Sequence, residues 1–126
     1  MDIGAHIGIF TTMAAQKARW IYADEPVPAT FLCLRENVFL NRLENVSCFN
    51  SAVWERRKKL QINLSERGSG GHSAYVTATT GDRFVEVDAI TLDDVFSQNG
   101  LDRIDFLKLD CEGSEYNIVY GADRNL

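Results

Sequence analysis

The stretch that decides the fold opens the chain: Asp2-Ile-Gly-Ala-His-Ile-Gly8, then a helical pattern, then Trp20-Ile-Tyr-Ala-Asp-Glu25-Pro26. It reads as a glycine-rich turn running into a helix, followed by a second strand that ends in an acid. Gly4 and Gly8 remove side chains where the backbone must turn tightly and a ligand must come close, and the helix start aims its free N–H groups at that ligand. A carboxylate at Glu25 accepts both hydroxyl hydrogens of a ribose, at a distance along the chain similar to that in dinucleotide folds. The nicotinamide version of such a loop needs G-x-G-x-x-G, whereas here the spacing is G-x-x-x-G with His6 in place of the second glycine. The pattern points to an adenosine-bearing cofactor without phosphates.

Working outward, helix and strand alternate. Phe10, Met13, Ala14 and the aliphatic stem of Lys17 fall at helical spacing, and Trp20 to Ala23 form an apolar strand. Pro28 suits the first turn of a second helix with Phe31, Leu34 and Val38 on its apolar face, ended by Asn41 to Asn45; Val46 to Asn50 is the third strand. From Leu60 to Val87 the pattern shortens to alternating runs, Leu60 to Leu64, Ala74 to Thr79 and Phe84 to Val87, joined by loops at Ser65 to Ser73 and Thr80 to Arg83. These predict an antiparallel insertion on a mostly parallel sheet. Thr91 and Asp94 form a capping-box-like helix start with Gly100 as the stop, Ile104 to Asp110 is a strand, and Gly113 opens a last helix.

Composition sets the outer bounds. With 126 residues, 45% hydrophobic and 25% charged, the chain suits one globular unit with a single core. A net charge of -5 argues against a nucleic-acid partner, and Arg56-Arg-Lys-Lys59 reads as a solvated turn. No apolar run approaches the ~20 residues that span a bilayer, and no secretory leader is visible. Cys33, Cys48 and Cys111 are odd in number and lack C-x-x-C spacing, so neither a disulfide framework nor a zinc site is indicated and a reducing, cytoplasmic setting is expected.

Three blocks resemble the signature segments of the FkbM-type methyltransferases, class I enzymes that use S-adenosylmethionine: Asp2 to Gly8, Tyr22-Ala-Asp-Glu-Pro26, and Ile104-Asp-Phe-Leu-Lys-Leu-Asp-Cys-Glu-Gly-Ser-Glu115. The linking run Val87-Asp-Ala-Ile-Thr-Leu-Asp-Asp94 fits as well, and the resemblance extends from residue 2 to about Ala122. Asp24 departs from the family pattern, which more often carries an aromatic or apolar residue before the Glu-Pro pair. The resemblance implies a Rossmann-like α/β sheet with strand one beside the strand at Ile104 to Asp110, so that Asp2, Glu25, Asn50 and Asp110 converge at the strand ends. It implies S-adenosylmethionine held by Asp2, Gly4, Ala5, His6, Gly8, Glu25, Ser51, Ala52 and Asp110, with Asp2 facing the cationic amino acid portion, Glu25 the diol, and Ser51 and Ala52 the adenine.

Methyl transfer is an in-line displacement at carbon, and a hydroxyl acceptor must lose a proton. Asp110 and Glu112 are the candidate catalytic residues; the competing reading makes Asp110 an N-cap and Glu112 a helix-start charge. No metal site is expected, since the pair lacks a third ligand at useful spacing. His6 is a cofactor contact or a local hydrogen-bonding residue, His72 faces a substrate or sits in an ordinary hairpin connection, and Cys111 reads as a small buried residue. The acceptor implied is a small-molecule or glycan-linked hydroxyl. A non-catalytic adenosine-binding module is the alternative, with a nicotinamide oxidoreductase disfavoured by the missing glycine. Only Met1 precedes Asp2, and the family continues beyond the last helix, so the chain is expected to be a fragment truncated at both ends, a single methyltransferase domain over 1–126.

Overall fold

The computed structural model describes residues 1–65, 72–75 and 80–122. The elements run β1 (Asp2–Ile3), α1 (Ile9–Ala15), β2 (Ile21–Asp24), α2 (Pro28–Leu40), β3 (Val46–Phe49), β4 (Ala52–Val53), β5 (Lys58–Ser65), β6 (Thr80–Ile90), α3 (Leu92–Asn99), β7 (Lys108–Leu109) and α4 (Glu115–Tyr120). Two sheets result. The first has the order β3-β2-β1-β7 and is parallel throughout, with Asp2 opposite Ala23 on one side and Lys108 on the other. In the second, of order β4-β6-β5, β5 and β6 are antiparallel and β4 runs parallel to β6. This is the mixed α/β fold expected, mostly parallel with an antiparallel insertion.

Side-chain periodicity explains how the layers pack. Ile21 and Ala23 alternate onto one face of the first sheet, where Leu34 and Val38 of α2 cover them. On its other flank Ile3 and Val53 meet Leu92, Val95 and Phe96 of α3 and Ile118 of α4. In the second sheet Leu60 and Ile62 lie across from Val87 and Val85, with Gln61 and Glu86 exposed between them, the inside-outside alternation of a half-buried hairpin. Each such large apolar side chain contributes about 1.5–3 kcal/mol by leaving water. Caps fix the helix ends: Pro28 opens α2, and Thr91 and Asp94 exchange both bonds of a capping box at the start of α3, which Gly100 (φ 62°) ends. Arg57 then clamps Asp94 with its guanidinium, Nε donating to Oδ2 at 2.8 Å.

Several local expectations are corrected. In α1 the buried residues are Thr11 and Ala15, while Met13 is exposed; the hydroxyl of Thr11 is drawn down to Asp2 at 2.5 Å, which turns that face inward. Thr80 to Arg83 is not a loop but the start of β6, because Thr80 pairs with Ser65 after an irregularity in the ladder. From Ile104 to Asp110 only Lys108–Leu109 is a strand, since β1 offers backbone partners only over Met1 to Ile3. The last helix starts at Glu115, not Gly113, because Glu112 (φ 50°) and Gly113 (φ 98°) are left-handed. Arg56 to Lys59 is more than a solvated turn: Arg57 holds Asp94, and Lys58 and Lys59 begin β5. Of the strand expected over 74–79, residues 76–79 lie outside the described residues, as do Gly70 and Gly71 of the glycine loop.

Candidate active site

A pocket opens where the carboxyl ends of the first sheet's strands face the second sheet. Gly4 and His6 come to it from the turn after β1, Asp24 to Val27 from the end of β2, and Ser51 to Trp54 from β4 and its approach. Leu60, Ile62, His72 and Ala74 supply the wall from the second sheet, and Asp110 to Glu112 with Ser114 close the side after β7. Among the described residues the lining includes the acids Asp24, Glu25, Asp110 and Glu112 and neither a lysine nor an arginine. Such a lining favours a cationic ligand over a phosphate.

Glu25 is the best-held of these acids. Its Oε2 accepts from the His6 N–H at 2.9 Å and its Oε1 from the Val27 N–H at 3.0 Å. Burial raises its pKa, and the two backbone N–H groups oppose the rise. Asn50 donates to the carbonyls of Glu25 and Pro26 at 2.9 and 3.0 Å, so it fixes the end of β2 and is not itself among the lining residues.

The turn after β1 is stitched to β2. The N–H groups of Gly4 and Ala5 both donate to the Asp24 carbonyl at 3.0 Å. With the His6 N–H spent on Glu25, these donors are turned inward and form no cradle for a ligand. The glycines answer to the protein's own crowding. A Cβ on Gly4 (φ +77°) would stand 2.2 Å from the Asp110 carbonyl oxygen, and one on Gly8 (φ +89°) 2.6 Å from Leu34 Cδ1. Gly4 and His6 line the pocket; Gly8 and the buried Ala5 do not. Asp2 is also outside it, fully buried, with Oδ2 accepting from Thr11 and Oδ1 from Lys108 Nζ at 3.1 Å.

Ser51 and Ala52 do line the pocket, and the Ser51 hydroxyl donates to Asp24 Oδ1 at 2.9 Å. Asp110 is exposed and stands 3.5 Å from Lys108 Nζ, and Glu112 is exposed beside it. Neither caps a helix: Ser114 occupies the N-cap of α4 and Glu115 accepts the Cys111 N–H at 2.7 Å. Burial pushes the Cys111 thiol up to about 12, so it is no nucleophile at neutral pH. His6 (φ 55°) and Glu112 (φ 50°), in the turns that follow the paired strands β1 and β7, both line the pocket and carry left-handed backbones, strain that commonly gathers at functional sites.

His72 does face the pocket. Its Nδ1 accepts from the Ser65 N–H at 2.9 Å, which leaves the proton on Nε2, and burial lowers its pKa. Next to it Ser73 Oγ donates to the Glu112 carbonyl at 2.9 Å, joining the second sheet to the turn after β7. Sequence reasoning missed Trp54, Val27, Leu60, Ile62 and Ala74 as lining residues. Alternation marked Leu60 and Ile62 as sharing a face, but nothing local says that this face looks onto the strand ends. Among the described residues no group of three or more His, Cys, Asp or Glu is placed to hold a metal ion, and no helix is long and apolar enough to cross a membrane.

A sheet ordered 3-2-1-4, counting only its own strands along the chain, with an acid at the end of its second strand and a pocket over the strand ends, defines a class I methyltransferase-like α/β fold. The chain belongs to the FkbM family: the Methyltransferase FkbM domain matches residues 2–126. It is 26% identical over 143 residues to Methyltransferase 1 of Beauveria bassiana, a match over 98% of this chain and 57% of that protein. It is 28% identical to Methyltransferase sdnD of Sordaria araneosa, over 98% of this chain and 60% of that protein. The chain thus spans rather more than half the length of these curated relatives. The crystal structure of Methyltransferase FkbM from Methylobacillus flagellatus shares the fold, with a TM-score of 0.64 and 19% identity over 96% of this chain and 28% of that one.

Proposed function

We propose that the protein transfers a methyl group from S-adenosylmethionine to an oxygen, the hydroxyl of a small-molecule or glycan-linked acceptor. The observation that carries this reading is the pocket lining, which among the described residues has four acids and no lysine or arginine, beside a turn in which the N–H groups of Gly4, Ala5, His6 and Gly8 are spent inside the protein. A sulfonium-bearing nucleoside suits that environment and a pyrophosphate does not. The residues fit the parts of the cofactor. Glu25, oriented by two backbone N–H groups, keeps lone pairs for a ribose diol, while Val27, Ala52 and Val53 offer apolar surface to a base.

When bound, S-adenosylmethionine supplies an electrophilic methyl group. The chain's own residues supply position and charge. Gly4 lets the turn lie against the Asp110 carbonyl, Asp110 and Glu112 offer carboxylates to take the acceptor's proton, and His72 directs an Nε2–H donor toward an acceptor oxygen. Asp2 acts from beneath, holding Lys108 and Thr11 and so fixing the start of the turn. A reducing, cytoplasmic compartment suits the three free cysteines.

Calorimetry with S-adenosylmethionine, S-adenosylhomocysteine and NAD tests the reading. The first two should bind and NAD should not; NAD binding without response to either methionine derivative would overturn it.

A further inference from the structure

His72, Ser73, Ala74 and Tyr75 are the described residues between β5 and β6, and they carry His72 to the pocket. Their backbone meets β5 at one isolated bridge, where Ser73 and Asn63 exchange bonds of 2.7 and 3.1 Å. Ser73 also donates through Oγ to the Glu112 carbonyl, so bridge and side-chain bond act at a single residue. One point of support is a pivot. His72 lies on one side of it and Tyr75 on the other. Tyr75 Oη donates to Asn117 Oδ1 of α4 at 2.6 Å, and Asn117 Nδ2 donates to Glu55 Oε2 at 3.2 Å. An amide suits that place, since it accepts from a hydroxyl with one atom and donates to a carboxylate with the other. The helix that presents it is itself seated on this wall. The Tyr75 ring lies over Gly113 ahead of α4, and Gly121 at its end lies so close to Glu55 that a Cβ there would stand 2.3 Å from the Glu55 Cα. Neither Tyr75 nor Asn117 lines the pocket, so neither touches what binds there.

We propose that Tyr75 is a positioning residue for His72 and that it acts through Asn117, which gives the segment its second point of support and so fixes the direction in which His72 points. The proposal rests on the reading of His72 above as the donor toward the acceptor oxygen. Nδ1 of His72 stays on the Ser65 N–H, and Nε2–H in the pocket, only while the segment cannot swing about Ser73. Tyr75 is 44% exposed, so its hydroxyl bond, more than burial of its ring, is what holds that end.

The test is nuclear magnetic resonance on protein isotope-labelled in its backbone and histidine nitrogens, at pH 8, where burial, which lowers the His72 pKa, keeps the ring neutral. The wild type should show His72 with its proton on Nε2 and a slowly exchanging Ser65 amide. Tyr75→Phe and Asn117→Leu should each speed exchange at Ser65 by roughly three- to tenfold, the loss of one hydrogen bond, and move the His72 nitrogen shifts toward a mixture of tautomers. Amides of Ala23 and Leu34, in the core of the first sheet, should exchange as before. Asn117→Asp keeps an acceptor for Tyr75 and should return the His72 signals to those of the wild type. Exchange and shifts unchanged in both Tyr75→Phe and Asn117→Leu overturn the proposal. So does a rise as large at Ala23 and Leu34 as at Ser65, which marks a general loss of stability. Calorimetry of the same samples with S-adenosylhomocysteine reads the cofactor site separately, and the variants should stay within about threefold of the wild type, since the substituted residues lie outside the pocket. A wild type that does not bind it overturns the cofactor reading and the use of His72 with it, whatever the exchange rates are.

Discussion

Asp24 should make the ligand-free protein lose stability as pH rises through the acidic range. Burial raises its carboxyl from 3.8 to about 7, so between those values the folded state holds a proton that the unfolded chain has released. The sign follows directly: the contribution of Asp24 to stability is full below about pH 4, is lost as pH rises toward 7, and is flat beyond it. A shift of that size corresponds to roughly 4 kcal/mol as an upper bound, at 1.36 kcal/mol per pH unit. Against a typical total of about 5–15 kcal/mol this is a large share. Glu25, also raised by burial, adds to the same slope. Asp24→Asn removes the titrating group while retaining an oxygen for Ser51, and it should abolish most of the loss. Urea unfolding followed by circular dichroism at half-unit steps from pH 4 to 8 measures it, with the two proteins compared at each pH. A wild-type midpoint that does not change over this range, or a variant with the wild-type slope, would refute the reasoning.

Other perturbations separate the remaining roles. Glu25→Ala takes the acceptor from the N–H groups of His6 and Val27 as well as from the ribose, and should weaken S-adenosylhomocysteine binding by about 1–3 kcal/mol in calorimetry on a variant shown to be folded. Asp110→Asn should abolish turnover of an identified acceptor with cofactor affinity largely kept; collapse of binding instead would make Asp110 a cofactor or structural residue. Gly4→Ala forces a Cβ to 2.2 Å from the Asp110 carbonyl in a left-handed backbone, and should lower the thermal midpoint by several degrees, whereas an unchanged midpoint would show that the turn and β7 separate easily.

Much of the first sheet is legible in the sequence because its signals are local. The glycines before α1, the acid before Pro26, and Pro28 at the start of α2 each impose a backbone geometry within a few residues. The capping box at Thr91 is of the same kind. What escapes local reading depends on a distant partner. Asp2 looks like a ligand-facing strand-end acid until Thr11 and Lys108 are seen to occupy both its oxygens. Gly8 looks like room for a ligand until Leu34 fills the space. Met13 falls at a core spacing, yet it is Thr11 and Ala15 that face inward, since a buried carboxylate outweighs a methionine in setting the helix's rotation. Trp54 carries no motif, and its place on the pocket wall follows only from the return of β6 beside β4.

The bond from Ser73 to residue 112 has an evolutionary consequence. It ends on a main-chain carbonyl, which every amino acid supplies, so the anchorage of that wall is independent of which side chain stands at position 112. Glu112 can be exchanged for residues that tolerate its left-handed backbone, glycine, asparagine and aspartate foremost, without loosening the segment that leans on it. A lineage can therefore vary the side chain at this position, within that backbone limit, while the architecture around it is inherited intact.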